Sequence, residues 1–224
     1  MAATTVGLSC QGEVVGRHGI FSLLVLSTHE DVFVFEILAL GLQEIKYGLW
    51  AVLQRLNLVK VVFDIRQLSD ILHHQFQLNL EKIFDIFAAH KVVTNWSVES
   101  QIVISLAPNL RDLVRYYLNL SDDIDLGLTP YSPHDQVWRT RSLSPTLLLM
   151  AAKYSICVVE VADVLEPQLN LPIEMAGQVL LDEIRQLDDE KAKQAILMPH
   201  ITPDCMKITL PAWRRLELKP FVKL

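Results

Sequence analysis

The spacing of apolar residues predicts an α/β protein: a mixed sheet flanked by helices, with a C-terminal helical extension. Two observations carry this. In the N-terminal part the apolar residues alternate as strands require. From Gln43 onward they recur at helical spacing, interrupted by apolar runs of buried-strand length. Strands first, then helices interleaved with short strands, place the helices on the faces of one sheet.

Thr4 to Cys10 forms the first expected strand. Phe21, Leu23 and Val25, then Val32 and Val34, mark two more, joined by a hairpin turn over Ser27 to Asp31. Ile45, Leu49, Val52, Leu53 and Leu56 share one helical face, and VKVVF (Val59 to Phe63) follows as a buried strand, so this part reads as a β-α-β crossover. Asp64 and Gln67 have the spacing of a capping box, and Phe63 and Leu68 that of a hydrophobic staple, so a helix begins after Phe63. A short strand is expected at Lys82 to Phe84. Leu110, Leu113, Val114, Tyr117 and Leu118 mark an amphipathic helix. Ser121 to His134, rich in aspartate and proline, reads as a loop. Ser144 before Pro145 is a helix start, and the apolar run beyond it is a buried helix. A last helix is expected over Pro172 to Ala195, apolar at Ile173, Ala176, Leu180, Ile184 and Leu187 and acidic from Asp182 to Glu190.

A chain of 224 residues, 51% of them hydrophobic, can bury a full core, and its length fits one domain with an extension: residues 1–165, then a C-terminal helix and tail over 166–224. Cys10, Cys157 and Cys205 are odd in number and far apart, which indicates neither a disulfide framework nor a zinc site and suits a reducing compartment. No basic leader precedes an apolar run, and the apolar stretches are too short to span a bilayer, so a soluble, cytoplasmic protein without membrane insertion is expected. The net charge of −6 opposes diffuse attraction to phosphates. A nucleic-acid contact would need a local patch drawn from Arg66, Arg111, Arg115, Arg139, Arg141 and Lys153; the simpler alternative is that these are separate solvated charges.

Five segments in fixed order carry a resemblance: VGLSCQG (Val6 to Gly12), GRHGIFSLLVLST (Gly16 to Thr28), VKVVFDIR (Val59 to Arg66), KIFDIFAAH (Lys82 to His90) and VWRTRSLSPTLLLMAAK (Val137 to Lys153). Together they resemble a DEDD-type 3′-to-5′ exonuclease domain of RNase H-like, DnaQ-type fold, from about Val6 to Val159. The chain is similar to the exonuclease 3′-to-5′ domain-containing protein 1 family of the piRNA pathway, and more distantly to Egalitarian and RNase D. Active relatives hold two Mg²⁺ ions with acidic residues. At the matching positions stand Ser9 and Gln11, then Leu68, then Met150 and Tyr154, all neutral.

The resemblance therefore implies a catalytically inactive pseudo-nuclease with no metal and no cofactor, kept as an RNA-binding or protein-binding adaptor in piRNA biogenesis and gene silencing. It further implies a homodimer, a Tudor-domain partner from the piRNA pathway, and weakly held single-stranded RNA. Arg66, Arg139, Arg141 and Lys153 are the RNA-binding candidates, because they lie beside the segments that frame the family's substrate groove. The family's Arg-Pro dipeptide is Arg141-Ser142 here, so Arg141 has a second reading as a helix cap or the partner of an internal acid. Two alternatives stay open: an active metal-dependent exonuclease rebuilt from Asp64, Asp70 and Asp85, and an mRNA-transport adaptor. Asp70 lies two residues beyond Leu68, about 200° around a helix, and so points away from the site. Asp64 reads as an N-cap, and Asp85 as the cap of the next helix. His73 and His74, being adjacent, lack the spacing of a helical zinc pair. Ser144 and Ser155 have no nearby acid and base to form a triad, and no glycine-rich phosphate loop occurs.

Overall fold

The computed structural model describes residues 5–13, 16–40, 48–93, 108–128, 136–169, 181 and 184–197. Its centre is a five-stranded mixed sheet in the order β3-β2-β1-β4-β5. β1 (Thr5–Glu13), β2 (Ile20–Ser27) and β3 (Val32–Glu36) form an antiparallel meander, with Ser9 opposite Val25 and a register shift at Gln11/Gly12. The β2–β3 turn is held by Thr28, whose hydroxyl accepts from the N–H groups of Glu30 and Asp31. β4 (Val59–Val62) and β5 (Ile83–Asp85) add in parallel on the other side of β1. The expected α/β class and mixed sheet are what the chain forms.

Several boundaries differ from expectation, each for a local reason. The first strand runs on to Glu13. Of the helix expected from Gln43, residues 41–47, including Ile45, lie outside the described residues; α1 (Trp50–Leu53) buries Leu49 and Leu53, but Leu56 is 61% exposed. The helix ends in a tight turn, with Arg55 N–H donating to Val52 O, which swings Leu56 off the apolar face. α2 (Ile65–Phe76) does start at Asp64, whose carboxylate accepts from Arg66 N–H. The capping box with Gln67 does not form, because the N–H groups of Asp64 and Ile65 donate to the Asp85 carboxylate instead, at 3.1 and 2.9 Å. Nor does the staple form: Phe63 packs edge-on against Phe87, 5.6 Å between centroids, while Leu68 turns into a different apolar cluster.

α3 (Ile86–Val93) follows β5 directly. α4 (Leu110–Tyr117) begins at a capping box of Asn109 and Asp112, and Leu118 is its C-cap residue. The loop expected from Ser121 is turn and coil as far as Leu128, and residues 129–134 lie outside the described residues. α5 (Pro145–Leu165) starts where Ser144 accepts from Leu147 N–H, as its serine-proline start predicts. The single helix expected over Pro172 to Ala195 is corrected. Ile173, Ala176, Leu180 and Asp182 lie outside the described residues, and the helix breaks at Leu187 and Asp188 before α6 (Asp189–Leu197). Asp188 accepts from Lys191 N–H through its side chain and from Ala192 N–H through its carbonyl, so part of the acidic run is a helix start rather than a continuous polar face.

The core lies in three clusters. One fills the space between the sheet and α2 and includes Leu8, Leu24, Leu68 and Leu181. A second joins Val61 and Phe84 to α3, α4 and α5. The third packs Leu23 and Val25 against Trp138, Leu143, Met150 and Ala151. No helix among the described residues is long and apolar enough to cross a membrane.

Candidate functional site

Two of the five positions singled out in the sequence, Ser9 and Gln11, lie on β1, and a glycine of that strand sets how α5 meets it. A Cβ on Gly7 would lie 2.4 Å from Ser155 O and 2.4 Å from Ser27 Oγ, so only glycine lets α5 settle directly on the strand. The contact is locked by a 2.9 Å hydrogen bond between the hydroxyls of Ser27 and Ser155. Strand alternation then puts Ser9 and Gln11 on the same face as Gly7, towards α5. Cys10 faces the opposite way, against the α2 cluster.

The five side chains themselves carry no charge. Leu68 is 4% exposed and packed in the α2 cluster, Met150 is buried in the β2–α5 cluster, and Tyr154 packs against the cluster of α3, α4 and α5. Ser9 is buried, and its Oγ has no hydrogen-bond partner among the described residues. Burial raises the Tyr154 phenol well above the ordinary tyrosine range, helped by Cys10, Asp64 and Cys157, and pushes the Cys10 thiol up to about 12. Both are therefore uncharged at neutral pH.

The nearby acids are occupied. Asp64 sits in left-handed backbone at φ 55° and grips Arg66 through two 2.6 Å bonds, Nε to Oδ1 and Nη2 to Oδ2. Asp85, fully buried, accepts from the N–H groups of Asp64, Ile65, Phe87 and Ala88, and so caps α2 and α3 together. Burial, then Asp64, lifts its carboxyl to about 6 despite those donors. Asp70 points away as expected and is bound on the far side of α2 by Arg17, 2.8 Å from Nη2. Lys91 sits 4.3 Å above the Phe87 ring, its ammonium lowered to about 8 by burial and then by Arg66. No sequence signal marked Lys91, because a lysine in the last turn of an apolar helix reads first as a surface charge. Among the described residues no three His, Cys, Asp or Glu side chains converge as metal ligands.

The basic candidates do not form one patch. Arg66 is 4% exposed, committed to Asp64 and stacked over Phe87, which removes it from any surface. Arg141 takes its second reading: it pairs with Glu36 at 3.0 Å and donates to Trp138 O and Thr140 O. Arg139, 49% exposed at its side chain, reaches Glu13 at 3.1 Å. Lys153 lies against Gly127. Arg115 binds the carbonyls of Asp122 and Ile124.

Residues 13–170 match the 3′-5′ exonuclease family. The piRNA biogenesis protein EXD1 of Mus musculus is 29% identical over 238 residues, which cover 98% of this chain but only 38% of that protein. The Egalitarian protein homolog of Caenorhabditis elegans is 26% identical over 95 residues, 42% of this chain and 17% of that protein. Among solved structures, Trypanosoma brucei RNase D in complex with RNA U12 has a TM-score of 0.64 at 17% identity, covering 81% of this chain and 63% of that one. The fold is thus that of the RNase D exonucleases, and the chain spans less than half the length of the mouse relative it matches.

Proposed function

This chain belongs to the 3′-5′ exonuclease family, and from its neutral site we propose that it is a pseudo-exonuclease: the fold is kept and the chemistry is gone. The observation that carries this is that Leu68 is packed in the core; by the sequence resemblance it stands at a position where active relatives carry a carboxylate. Two divalent cations need hard, anionic oxygen ligands. Ser9, Gln11, Leu68, Met150 and Tyr154 supply no charge, and burial keeps Tyr154 protonated.

What remains is a binding role. The similarity to the piRNA biogenesis proteins supports a role in piRNA biogenesis, and we propose that the domain fills it as a cytoplasmic adaptor, a homodimer with a Tudor-domain partner. Residues 1–165 are the nuclease-type domain and 166–224 its extension. Any RNA is single-stranded and held weakly through phosphates, with Arg139 and Lys153 as the remaining candidates. The rebuilt-exonuclease reading is disfavoured, because Asp64, Asp70 and Asp85 are each already compensated by an arginine or by backbone N–H groups. An mRNA-transport adaptor is the second reading, resting on the resemblance to Egalitarian drawn from the sequence. Calorimetric titration with Mn²⁺ tests the premise: no binding heat is expected at millimolar metal, and a stoichiometric binding isotherm would overturn the pseudo-enzyme reading.

A further inference from the structure

Among the described residues no strand pairs with the outer side of β3, the edge of the sheet. Two backbone hydrogen bonds set its phase: Thr28 N–H donates to Asp31 O at 2.8 Å, and Ile37 N–H donates to Ser22 O at 2.9 Å. With Phe33 opposite Leu26 and Phe35 opposite Leu24, these alternate residues bond inward to β2. The N–H groups of Val32, Val34 and Glu36 therefore point outward, as do the C=O groups of Val32 and Val34. The Glu36 C=O is already taken, accepting from Ala39 and Leu40 N–H at 2.9 Å each.

The side chains along this edge are apolar and open, with Phe33 52%, Val34 36% and Leu38 48% exposed. β3 has none of the lysines or prolines that commonly guard a sheet edge. It is also a neutral strip on a chain of net charge −6, because Glu36, the ionisable residue of the strand, is held by Arg141 at 3.0 Å. Two copies that repel each other elsewhere meet no such barrier here.

We propose that β3 pairs antiparallel with β3 of a second copy, about a two-fold axis at Val34, and joins the two sheets into one. This rests on the homodimer reading above and adds where the copies meet. The strand is its own complement in this register. Outward-facing residues meet outward-facing residues only when the axis passes through a residue, and of these positions Val34 alone pairs the whole of Val32–Glu36; an axis at Phe33 or Phe35 leaves part of the strand unmatched. Val34 then exchanges both bonds with Val34 of the partner subunit, and Glu36 N–H donates to Val32 O of the partner subunit. Phe33 lies directly opposite Phe35 of the partner subunit, twice over, so the exposed phenylalanines cover one another. At each end of the ladder the acidic Glu30 and Asp31 of one copy come alongside the end of the other strand where Arg141 stands, so acid meets arginine.

Sedimentation equilibrium combined with amide hydrogen exchange on the full chain tests this. The parent is expected to dimerise, and exchange at the Val34 and Glu36 amides to slow at least about tenfold as the dimer forms. The amides of Phe33 and Phe35, bonded to β2, should stay protected at every concentration and report an intact fold. Val34→Lys sets two ammonium groups face to face at the axis and should give a monomer with those inward amides still protected. A parent that is monomeric at every concentration sinks the homodimer reading and this interface together. The interface alone is overturned by a dimer that survives Val34→Lys, or by a parent dimer whose Val34 and Glu36 amides do not respond to its formation. Protection of those amides that is independent of concentration also overturns it, and would mean that the same chain covers the edge. The concentration dependence is read on the parent, so it decides the matter even if Val34→Lys does not fold.

Discussion

Returning an aspartate to position 68 puts the loss of chemistry to a quantitative test. Leu68 is 4% exposed in the cluster between the sheet and α2, so Leu68→Asp first forfeits the burial of a leucine, about 2 kcal/mol. It also buries a carboxyl. Asp85, nearby and with four N–H donors, still has its carboxyl lifted from 3.8 to about 6. A carboxyl at position 68 raised by the same two units or so costs about 3 kcal/mol at pH 7. The total is about 5 kcal/mol. The sign with pH follows from the raised value: the native form holds its proton more tightly than the unfolded chain, so the deficit shrinks on going from pH 7 to pH 5, by about 1.4 kcal/mol. Leu68→Asn, which loses the same packing without gaining a charge, should be pH-independent over that range. Chemical denaturation of the three proteins, with and without Mn²⁺, measures all of this. A deficit below about 1 kcal/mol, or a rise in stability when Mn²⁺ is added to Leu68→Asp, would refute the reasoning, since either means that an open, metal-competent pocket survives there.

Asp85→Asn removes the anionic acceptor shared by two helix starts and should cost about 1–3 kcal/mol. Because the Asp85 carboxyl is raised, the advantage of the parent over this variant should grow as pH falls through about 6 towards 4, read from denaturation midpoints. Arg17→Ala leaves the buried Asp70 carboxylate without its guanidinium and cuts the tie to Asp189. A loss of about 3–5 kcal/mol and faster proteolysis around Leu187 are expected, and an unchanged Tm would mean that the clasp is ornamental. If the domain binds RNA, Arg139→Glu with Lys153→Glu should weaken binding to single-stranded RNA at low salt without unfolding the protein. Equal affinity in parent and variant, or no binding by either, leaves a protein-assembly module.

The sheet and its principal helices were legible because their signals are local and redundant. Alternation in β2 and β3 and the Ser144-Pro145 start needed no tertiary information. Tertiary competition accounts for the failures. Gln67 has capping-box spacing, but a buried carboxylate twenty residues on, Asp85, takes the N–H groups at the helix start. Phe63 has staple spacing, but Phe87 offers it a better edge contact. At the site, the identities of Ser9, Gln11, Leu68, Met150 and Tyr154 could be read directly, and the outward turn of Asp70 followed from helix geometry. That Arg66 is buried on Asp64 could not be read, because Asp64-x-Arg66 looks like an exposed charge pair until the left-handed turn at Asp64 folds one onto the other. Gly7, which sets the depth of α5, was silent for the same reason: one glycine in a strand does not announce what presses against it.

The central claim, that this exonuclease fold has no exonuclease chemistry, is tested most directly by incubating the full chain with 5′-labelled single-stranded RNA and Mg²⁺ or Mn²⁺. The RNA is expected to keep its full length at every metal concentration. Metal-dependent shortening from the 3′ end that disappears in Asp64→Asn or Asp85→Asn would contradict it, and would mean that acids assigned here to capping and ion pairing hold the metal instead.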